Sequence, residues 1–236
     1  MKRFITKIVA ALVLMLASCS VSSLAQQEPQ YDMGIMQMLF LSRFSAWKGE
    51  ERDLDRIKKE QRAQVESLVR EGKLALCGEV ADDDGLREIM VFRTESIDEA
   101  RQMAQALPAV RAGMLTADTI SWYTARNLIK TPQLPVTQSD YIFGLLVRGP
   151  KWTKEQTEET KKIQEGHMAN INRLGKTGKL VLAGPFEGNE DRRGVFIFKV
   201  ATTAEAQALT DTDPAVVAGR LKIKLYRWSV AKGMLP

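Results

Sequence analysis

Apolar positions in the second half of the chain follow two different periods. Leucine and isoleucine alternate with lysine over 221–225, which predicts a strand with one buried face at 221–230. Apolar residues spaced three and four apart predict a long helix at 155–176, ended by Gly178. Shorter apolar runs and turn residues complete the pattern: strands are predicted at 141–147, 180–183 and 195–200, a turn at 188–191, and a second helix from 203. The predicted order is β-α-β-β-α-β.

The same pattern occurs earlier in the chain, displaced by 106 residues. Gly72-Lys73-Leu74 recurs as Gly178-Lys179-Leu180. Between 57–122 and 163–228, 19 of 66 positions are identical without a gap. Agreement of this extent indicates an internal duplication.

The duplication predicts two homologous domains, at 31–126 and 140–232. A linker at 127–139 is indicated by its two prolines and its Thr, Gln and Ser content. Each domain has the element order of the ferredoxin-like α+β fold, in which helices cover one face of the sheet. The other face needs a partner, so we expect the two sheets to pack face to face as an intramolecular pseudo-dimer.

The first 25 residues predict a signal peptide. Basic residues precede a short apolar run at 8–17, and small residues follow it. Two cleavage patterns compete: a lipobox that would make Cys19 the lipidated N-terminus, and an ordinary small-x-small site at 23–25. Both predict export, to the periplasm or to a lipid-anchored position in a bacterial envelope.

Charge and cysteine content restrict the functional classes. The formal net charge of +5 falls to about +2 without the three basic residues of the leader, which argues against nucleic acid as a partner. Cys77 is the only cysteine besides Cys19, which excludes a disulfide framework and a cysteine-rich metal site. The sequence also has a single histidine and no phosphate-binding glycine loop, so we expect no metal site and no cofactor, and membrane contact only through an N-terminal lipid.

Several short motifs together resemble the YciI-like (YCII-related) family. They are an Arg-Gly-Pro turn at 148–150, a helix containing His167, Ala-Gly-Pro at 183–185, and the run Asp213 to Gly219. The resemblance covers 140–230 and, more weakly, 33–126. It implies a dimeric α+β barrel related to small-molecule isomerases, lactonases and dehalogenases. It also implies an active site formed by a His and an Asp, which correspond to His167 and Asp213.

The residues themselves allow a catalytic and a structural interpretation of this pair. His167 lies on the apolar stripe of the predicted helix, and imidazole exchanges a proton near neutral pH. If Asp213 meets it, the carboxylate would fix the imidazole tautomer. Structurally, His167 could instead be bonded to a backbone carbonyl, and Asp213 before Pro214 is a common helix N-cap.

The first half lacks both residues, with Gln61 and Leu107 at the equivalent positions. We therefore predict a catalytic site in the second half and a degenerate one in the first. Arg148 could hold a carboxylate or enolate oxygen, and Trp152 could form a wall of the pocket, although surface exposure and ordinary packing explain them equally well.

Two functional hypotheses follow. The first is a cofactor-free small-molecule enzyme of the lyase, isomerase or lactonase type, with His167 as the proton-transfer group and Asp213 as its orienting partner. The second is a non-catalytic binding or structural module of the cell envelope. A small-molecule ligand or substrate is the expected partner in the first case, and the fold type also allows a homodimer.

Overall fold

The computed structural model describes residues 30–45, 49–81, 85–131, 137–188 and 191–236. The segments with alternating apolar and polar residues form strands. The strands are β1 (Met33–Arg43), β2 (Leu74–Val80), β3 (Leu86–Phe92), β4 (Leu115–Ala125), β5 (Gln138–Arg148), β6 (Leu180–Pro185), β7 (Arg192–Phe198) and β8 (Leu221–Ala231). The helices are α1 (Glu51–Arg70), α2 (Ile97–Ala106), α3 (Pro108–Arg111), α4 (Glu158–Lys176), α5 (Thr203–Thr210) and α6 (Pro214–Val217). A short 3-10 turn, Arg126–Leu128, follows β4.

All eight strands belong to one antiparallel sheet in the order β4-β1-β3-β2-β8-β5-β7-β6. Each half of the chain therefore supplies four consecutive strands in the same internal order. The two sets join where β2 pairs with β8, beginning with Gly78 opposite Val230. The two four-stranded sets are thus joined in one continuous sheet, because the ends of β2 and β8 hydrogen-bond to each other, and their inner faces share one apolar cluster, in which Phe40 contacts Phe143.

The sheet curls until its two outer strands meet. Trp122 of β4 forms an isolated antiparallel bridge with Phe186, just after β6. The Glu187 N–H donates to the Ser121 carbonyl at 2.9 Å. Contact between the outer strands satisfies backbone groups that an open edge would leave exposed.

Three apolar clusters stabilise this arrangement. The largest fills the inside of the curled sheet and contains Phe40, Phe143, Trp122 and Trp228. The two others lie on the outer face, beneath the helices of the first half and of the second half. Burial of both faces explains why several strands are buried along nearly their whole length.

The elements agree with the predicted order and differ at some boundaries. Helix α4 begins at Glu158 rather than at 155, because Thr157 is its N-cap and forms a reciprocal capping box with Thr160. Strand β7 begins three residues before the predicted 195 and ends at Phe198, two before the predicted 200. The short helix α6 begins at Pro214, as the N-cap interpretation of Asp213 implies, and ends after four residues.

Tyr31–Pro236 form one compact unit. The predicted domain limits at 31–126, 127–139 and 140–232 therefore remain predictions, and β5 already begins inside the predicted linker, at Gln138. The predicted signal peptide and Cys19 lie outside the described residues, as does part of the predicted turn at 188–191. Within the described ranges, no helix is both long enough and apolar enough to cross a bilayer.

Candidate functional site

Helix α4 places His167 between the helix and the outer face of the sheet. His167, Asn170 and Leu174 are the buried residues of this helix, at intervals of three and four. The His167 ring stacks on Phe196 of β7, with ring centroids 5.9 Å apart and an interplanar angle of 20°. The predicted orientation of His167 toward the sheet agrees with this position.

Asp213 meets His167 directly. The carboxylate Oδ2 lies 2.7 Å from the imidazole Nδ1. Asp213 is fully buried, and His167 is 9% exposed. The other carboxylate oxygen, Oδ1, accepts from the Ala215 backbone N–H at 2.8 Å. Asp213 is therefore both the N-cap of α6 and the partner of His167, while a catalytic role for the pair stays a prediction.

The contact with Asp213 restricts the tautomer of a neutral His167 ring. An ionised carboxylate only accepts hydrogen bonds, so it binds the tautomer that carries its proton on Nδ1. The lone pair of the neutral ring is then on Nε2, on the side of the ring away from Asp213. In that tautomer Nε2 carries the lone pair that a general base uses.

A glycine allows the two residues to come so close. A Cβ on Gly166 would lie 2.9 Å from Pro214 Cγ. Helix α4 therefore packs against the start of α6 at a distance that a side chain at 166 would not permit. The sequence shows this glycine beside His167, but its role depends on a contact 48 residues away.

Asn170 is a member of this site that the sequence analysis did not identify. Its Oδ1 lies 2.6 Å from Arg173 Nη2 and 3.1 Å from Thr212 Oγ1. Its Nδ2 is buried and has no hydrogen-bond partner among the described residues. A signal was present in the sequence, because Asn170 stands three residues after His167 and so faces the same side of the helix.

Arg148 and Trp152, the predicted substrate-binding residues, contact each other. The Arg148 guanidinium carbon lies 3.9 Å from the Trp152 ring centroid, a cation–π contact. Arg148 also approaches the Asp191 carboxylate, at 3.8 Å. These contacts do not involve His167 or Asp213, so the binding role of Arg148 and Trp152 remains a prediction.

The first half fills the equivalent positions differently. Gln61 stands at the position of His167, and its Oε1 accepts from the Ala109 N–H at 3.3 Å. Ala109 is the counterpart of Ala215, so Gln61 caps the short helix α3 as Asp213 caps α6. Leu107, the counterpart of Asp213, is fully buried among apolar residues. This exchange explains how the Pro turn of the first half persists without a carboxylate.

Two further polar side chains of the first half, Cys77 and Glu88, lie near Gln61. The Cys77 thiol of β2 donates to Glu88 Oε1 of β3 at 2.8 Å. Cys77 lies in β2, where it is half-buried and has this polar partner. Burial raises the pKa of the Glu88 carboxyl to about 6, with a smaller contribution from Glu79, while the hydrogen bond from Cys77 opposes the rise. Burial also raises the pKa of the Cys77 thiol well above its ordinary value.

Replacement of Glu88 by Gln is expected to stabilise the protein above pH 6. The folded carboxyl keeps its proton between about pH 4.5 and 6, where the unfolded carboxyl loses it, so the free energy of unfolding falls as pH rises through this window. Removing that effect should add about 2 kcal/mol at pH 8 and nothing below pH 4. Urea denaturation of both proteins from pH 4 to pH 8 measures this difference, with Glu165→Gln, at an exposed position of α4, as control. A difference that does not vary with pH would contradict it.

An open depression of about 500 Å³ lies elsewhere, lined by Asp32, Arg93, Arg126, Asn127, Ile129, Lys130 and Thr131. Its central cation, Arg126, is bonded to Asp32 and to Glu95, both at 2.9 Å. The charges of these three residues are thus engaged with one another. His167 and Asp213 are not among the lining residues of this depression.

Known proteins resemble this chain in two ways: a family model matches the second half of the sequence, and solved structures share the fold. Residues 147–229 match the model of the YCII-related domain family. No functionally curated protein is recognisably similar to the chain in sequence. Thus the sequence match covers the half that contains His167 and Asp213.

Solved structures with a similar fold include chlorite dismutases and a heme-binding protein. A chlorite dismutase variant from Candidatus Nitrospira defluvii in complex with cyanide has a TM-score of 0.56 and 12% identity, over 84% of this chain and 91% of that chain. A heme-binding protein from Thermus thermophilus has a TM-score of 0.55 and 12% identity, over 86% of this chain and 93% of that chain. At these identities the likeness shows the fold alone.

Proposed function

Because residues 147–229 form a YCII-related domain, we propose that this chain is an exported, cofactor-free enzyme that transfers protons on a small molecule. The reaction type is that of a lyase, isomerase or lactonase. His167 is the acid–base group, and Asp213 orients it. The observation that carries the proposal is the buried contact of 2.7 Å between His167 Nδ1 and Asp213 Oδ2.

Asp213 makes one contact more than the N-cap of α6 requires, the contact with His167, and this extra contact supports a catalytic role. Oδ1 of Asp213 alone completes the cap of α6, and in the first half a neutral Gln61 does the same for α3. A buried carboxylate is costly when a neutral residue would serve. The second oxygen of Asp213 is directed at an imidazole, where its negative charge stabilises the imidazolium formed when Nε2 takes a proton.

The proposal also includes the architecture. We interpret the two sets of four strands as an intramolecular pseudo-dimer that arose by tandem duplication. In support, β2–β8 and β4–β6 contacts join the halves in equivalent positions. On this interpretation one half kept the His–Asp pair, while the other replaced it with Gln61 and Leu107.

A heme does not fit beside His167. A heme bound to this histidine would need an apolar slot between α4 and the sheet. That space is filled by buried side chains, among them Leu174, Phe196 and Phe198, and Phe196 stacks directly on the imidazole. No step of the proposed reaction uses a heme.

Export is the part of the proposal that rests on sequence alone. The leader at 1–25 supports it, with lipidation at Cys19 or cleavage after Ala25 as the two outcomes. The mature protein would then act in the periplasm, or at the membrane through its lipid.

A second candidate function is a non-catalytic binding or structural module of the cell envelope. The observation that favours it is the first half, where the same fold is maintained by Gln61 and Leu107 without the pair. In such a module the contact between His167 and Asp213 would serve packing only, and Nε2 would exchange no proton with a ligand.

Deuterium exchange distinguishes the two candidates. The purified protein is incubated in D2O with dihydroxyacetone or γ-butyrolactone, and proton NMR follows both exchange at the carbon beside the carbonyl group and ring opening. An enzyme of the proposed type should accelerate one of these reactions by at least about 100-fold over free imidazole at equal concentration. Rates equal to those of imidazole would favour the binding module.

A further inference from the structure

We infer that the Asn170 side-chain amide is a ligand-binding group of the His167 site and that the ligands are small carbonyl compounds that can form an enolate. The inference rests on the proposed function and adds the substrate class. It derives from the burial of Asn170, the fixed direction of its amide group, and its position relative to His167.

The Asn170 amide nitrogen is a buried hydrogen-bond donor, and a buried donor without an acceptor is unfavourable. The residue is 5% exposed, and Nδ2 has no acceptor within the described residues. Buried polar groups are nearly always hydrogen-bonded, because a donor removed from water without a partner costs free energy. An acceptor supplied from outside the chain, by a ligand or by a water molecule that a ligand displaces, satisfies this group.

The Arg173 guanidinium, which only donates, fixes the direction of the amide. Arg173 and the Thr212 hydroxyl both lie within hydrogen-bond distance of Asn170 Oδ1, at 2.6 and 3.1 Å. Arg173 also donates to Thr212 Oγ1 at 2.8 Å, so the three groups form one network. The oxygen end is thereby occupied, and the NH2 end is the one left for a ligand. Arg173 acts as the positioning residue for Asn170, and Thr212, which also donates to the Leu209 carbonyl at 2.6 Å, accepts from Arg173.

The same turn holds Asn170 and His167. Thr212 contacts Asn170, and the next residue, Asp213, contacts His167. The two side chains stand three residues apart on α4, a spacing that makes them neighbours on one face of the helix. One face of α4 therefore carries both the His167 ring and the Asn170 amide.

This pair of groups matches the formation of an enolate. His167 Nε2 takes a proton from the carbon beside the carbonyl group, and the electron pair of the broken C–H bond becomes the carbon–carbon double bond. The carbonyl π pair moves onto oxygen, where the Asn170 N–H stabilises the new negative charge. Asp213 balances the imidazolium. The reverse step returns the proton, or a deuteron, to carbon, so no oxidant or co-reactant is needed.

Acetohydroxamate, whose two adjacent oxygens resemble an enediolate, is the probe for this inference. In protein labelled with 15N on asparagine and histidine, we expect the probe to shift both the Asn170 NH2 signal and the His167 ring signals. Asn170→Leu should weaken binding of the probe at least about tenfold, and it also identifies the NH2 signal by deleting it. Gln64→Leu, a matched change at the equivalent position of the first half, should leave binding unchanged.

The outcomes separate this inference from the proposed function. A shift at His167 without a shift at Asn170, or undiminished binding by Asn170→Leu, would overturn the role of Asn170 and leave the proposed function standing. No shift at either residue would overturn the substrate class. The measurement on the unsubstituted protein decides the question even if the leucine variant does not fold.

Discussion

Replacement of Asp213 by Asn is expected to slow proton transfer by about 10⁴-fold. The new amide would have only one side-chain oxygen, and the Ala215 N–H would bind it as it now binds Oδ1. The amide NH2 would then face His167 Nδ1. Since an NH2 group only donates, His167 would be forced into the tautomer with its proton on Nε2 and could no longer accept one there.

The same exchange assay checks this expectation. His167→Gln should reduce the rate to a similar level, and the double variant should be no slower than either single variant, because two residues that act as one unit have non-additive effects. Asp211→Asn, at an exposed carboxylate two residues earlier, is the control and should keep the full rate. Independent, multiplying losses in the double variant would show that the two residues do not act together.

Replacement of Trp122 by Ala is expected to lower the free energy of unfolding by about 3–5 kcal/mol. Trp122 is fully buried inside the curled sheet. Its Nε1 donates to the Gly184 carbonyl at 3.2 Å, across the line where β4 meets β6. The substitution removes a large buried side chain and also a hydrogen bond that joins the two halves of the chain.

Urea denaturation of the variant measures the loss. The control is Tyr123→Ala, because Tyr123 is the next residue of β4 and is 37% exposed, so its removal should cost much less. Equal losses in the two variants would mean that closure between β4 and β6 contributes little to stability.

Two glycines lie where the two halves of the chain meet, and a side chain at either position would not fit there. A Cβ on Gly184 would lie 2.1 Å from the Tyr123 carbonyl oxygen, and one on Gly78 would lie 2.4 Å from Trp228 Nε1. Gly78 and Gly184 are equivalent in the repeat, as are Trp122 and Trp228. Where β2 pairs with β8, Gly78 of the first half lies against Trp228 of the second. Where β6 meets β4, Gly184 of the second half lies against Trp122 of the first.

Much of the fold was predictable because its elements depend on local patterns. The alternation at 221–225 indicated β8, and the apolar spacing around His167 indicated α4 and the face on which the histidine lies. The repeat predicted that both halves share one order of elements. His167 and Asp213 were identified together because the family resemblance includes both, and because both are replaced in the first half.

The remaining features depend on contacts between distant segments. Joining of the two halves in one sheet depends on β2 pairing with β8, which no local pattern encodes. The cap that Gln61 gives to Ala109 spans 48 residues, and the hydrogen bond from Cys77 to Glu88 links two strands. Asn170 became recognisable only when Thr212 and Arg173 were found around its oxygen.

Nitrogen NMR of the single histidine tests most directly whether His167 and Asp213 form a proton-transfer pair. With 15N in the ring, the two nitrogens report which of them carries the proton in the neutral form. The structure predicts Nδ1–H in the natural protein and Nε2–H in Asp213→Asn. The same tautomer in both proteins, or a neutral ring protonated on Nε2 in the natural protein, would contradict the pairing and favour the binding-module interpretation.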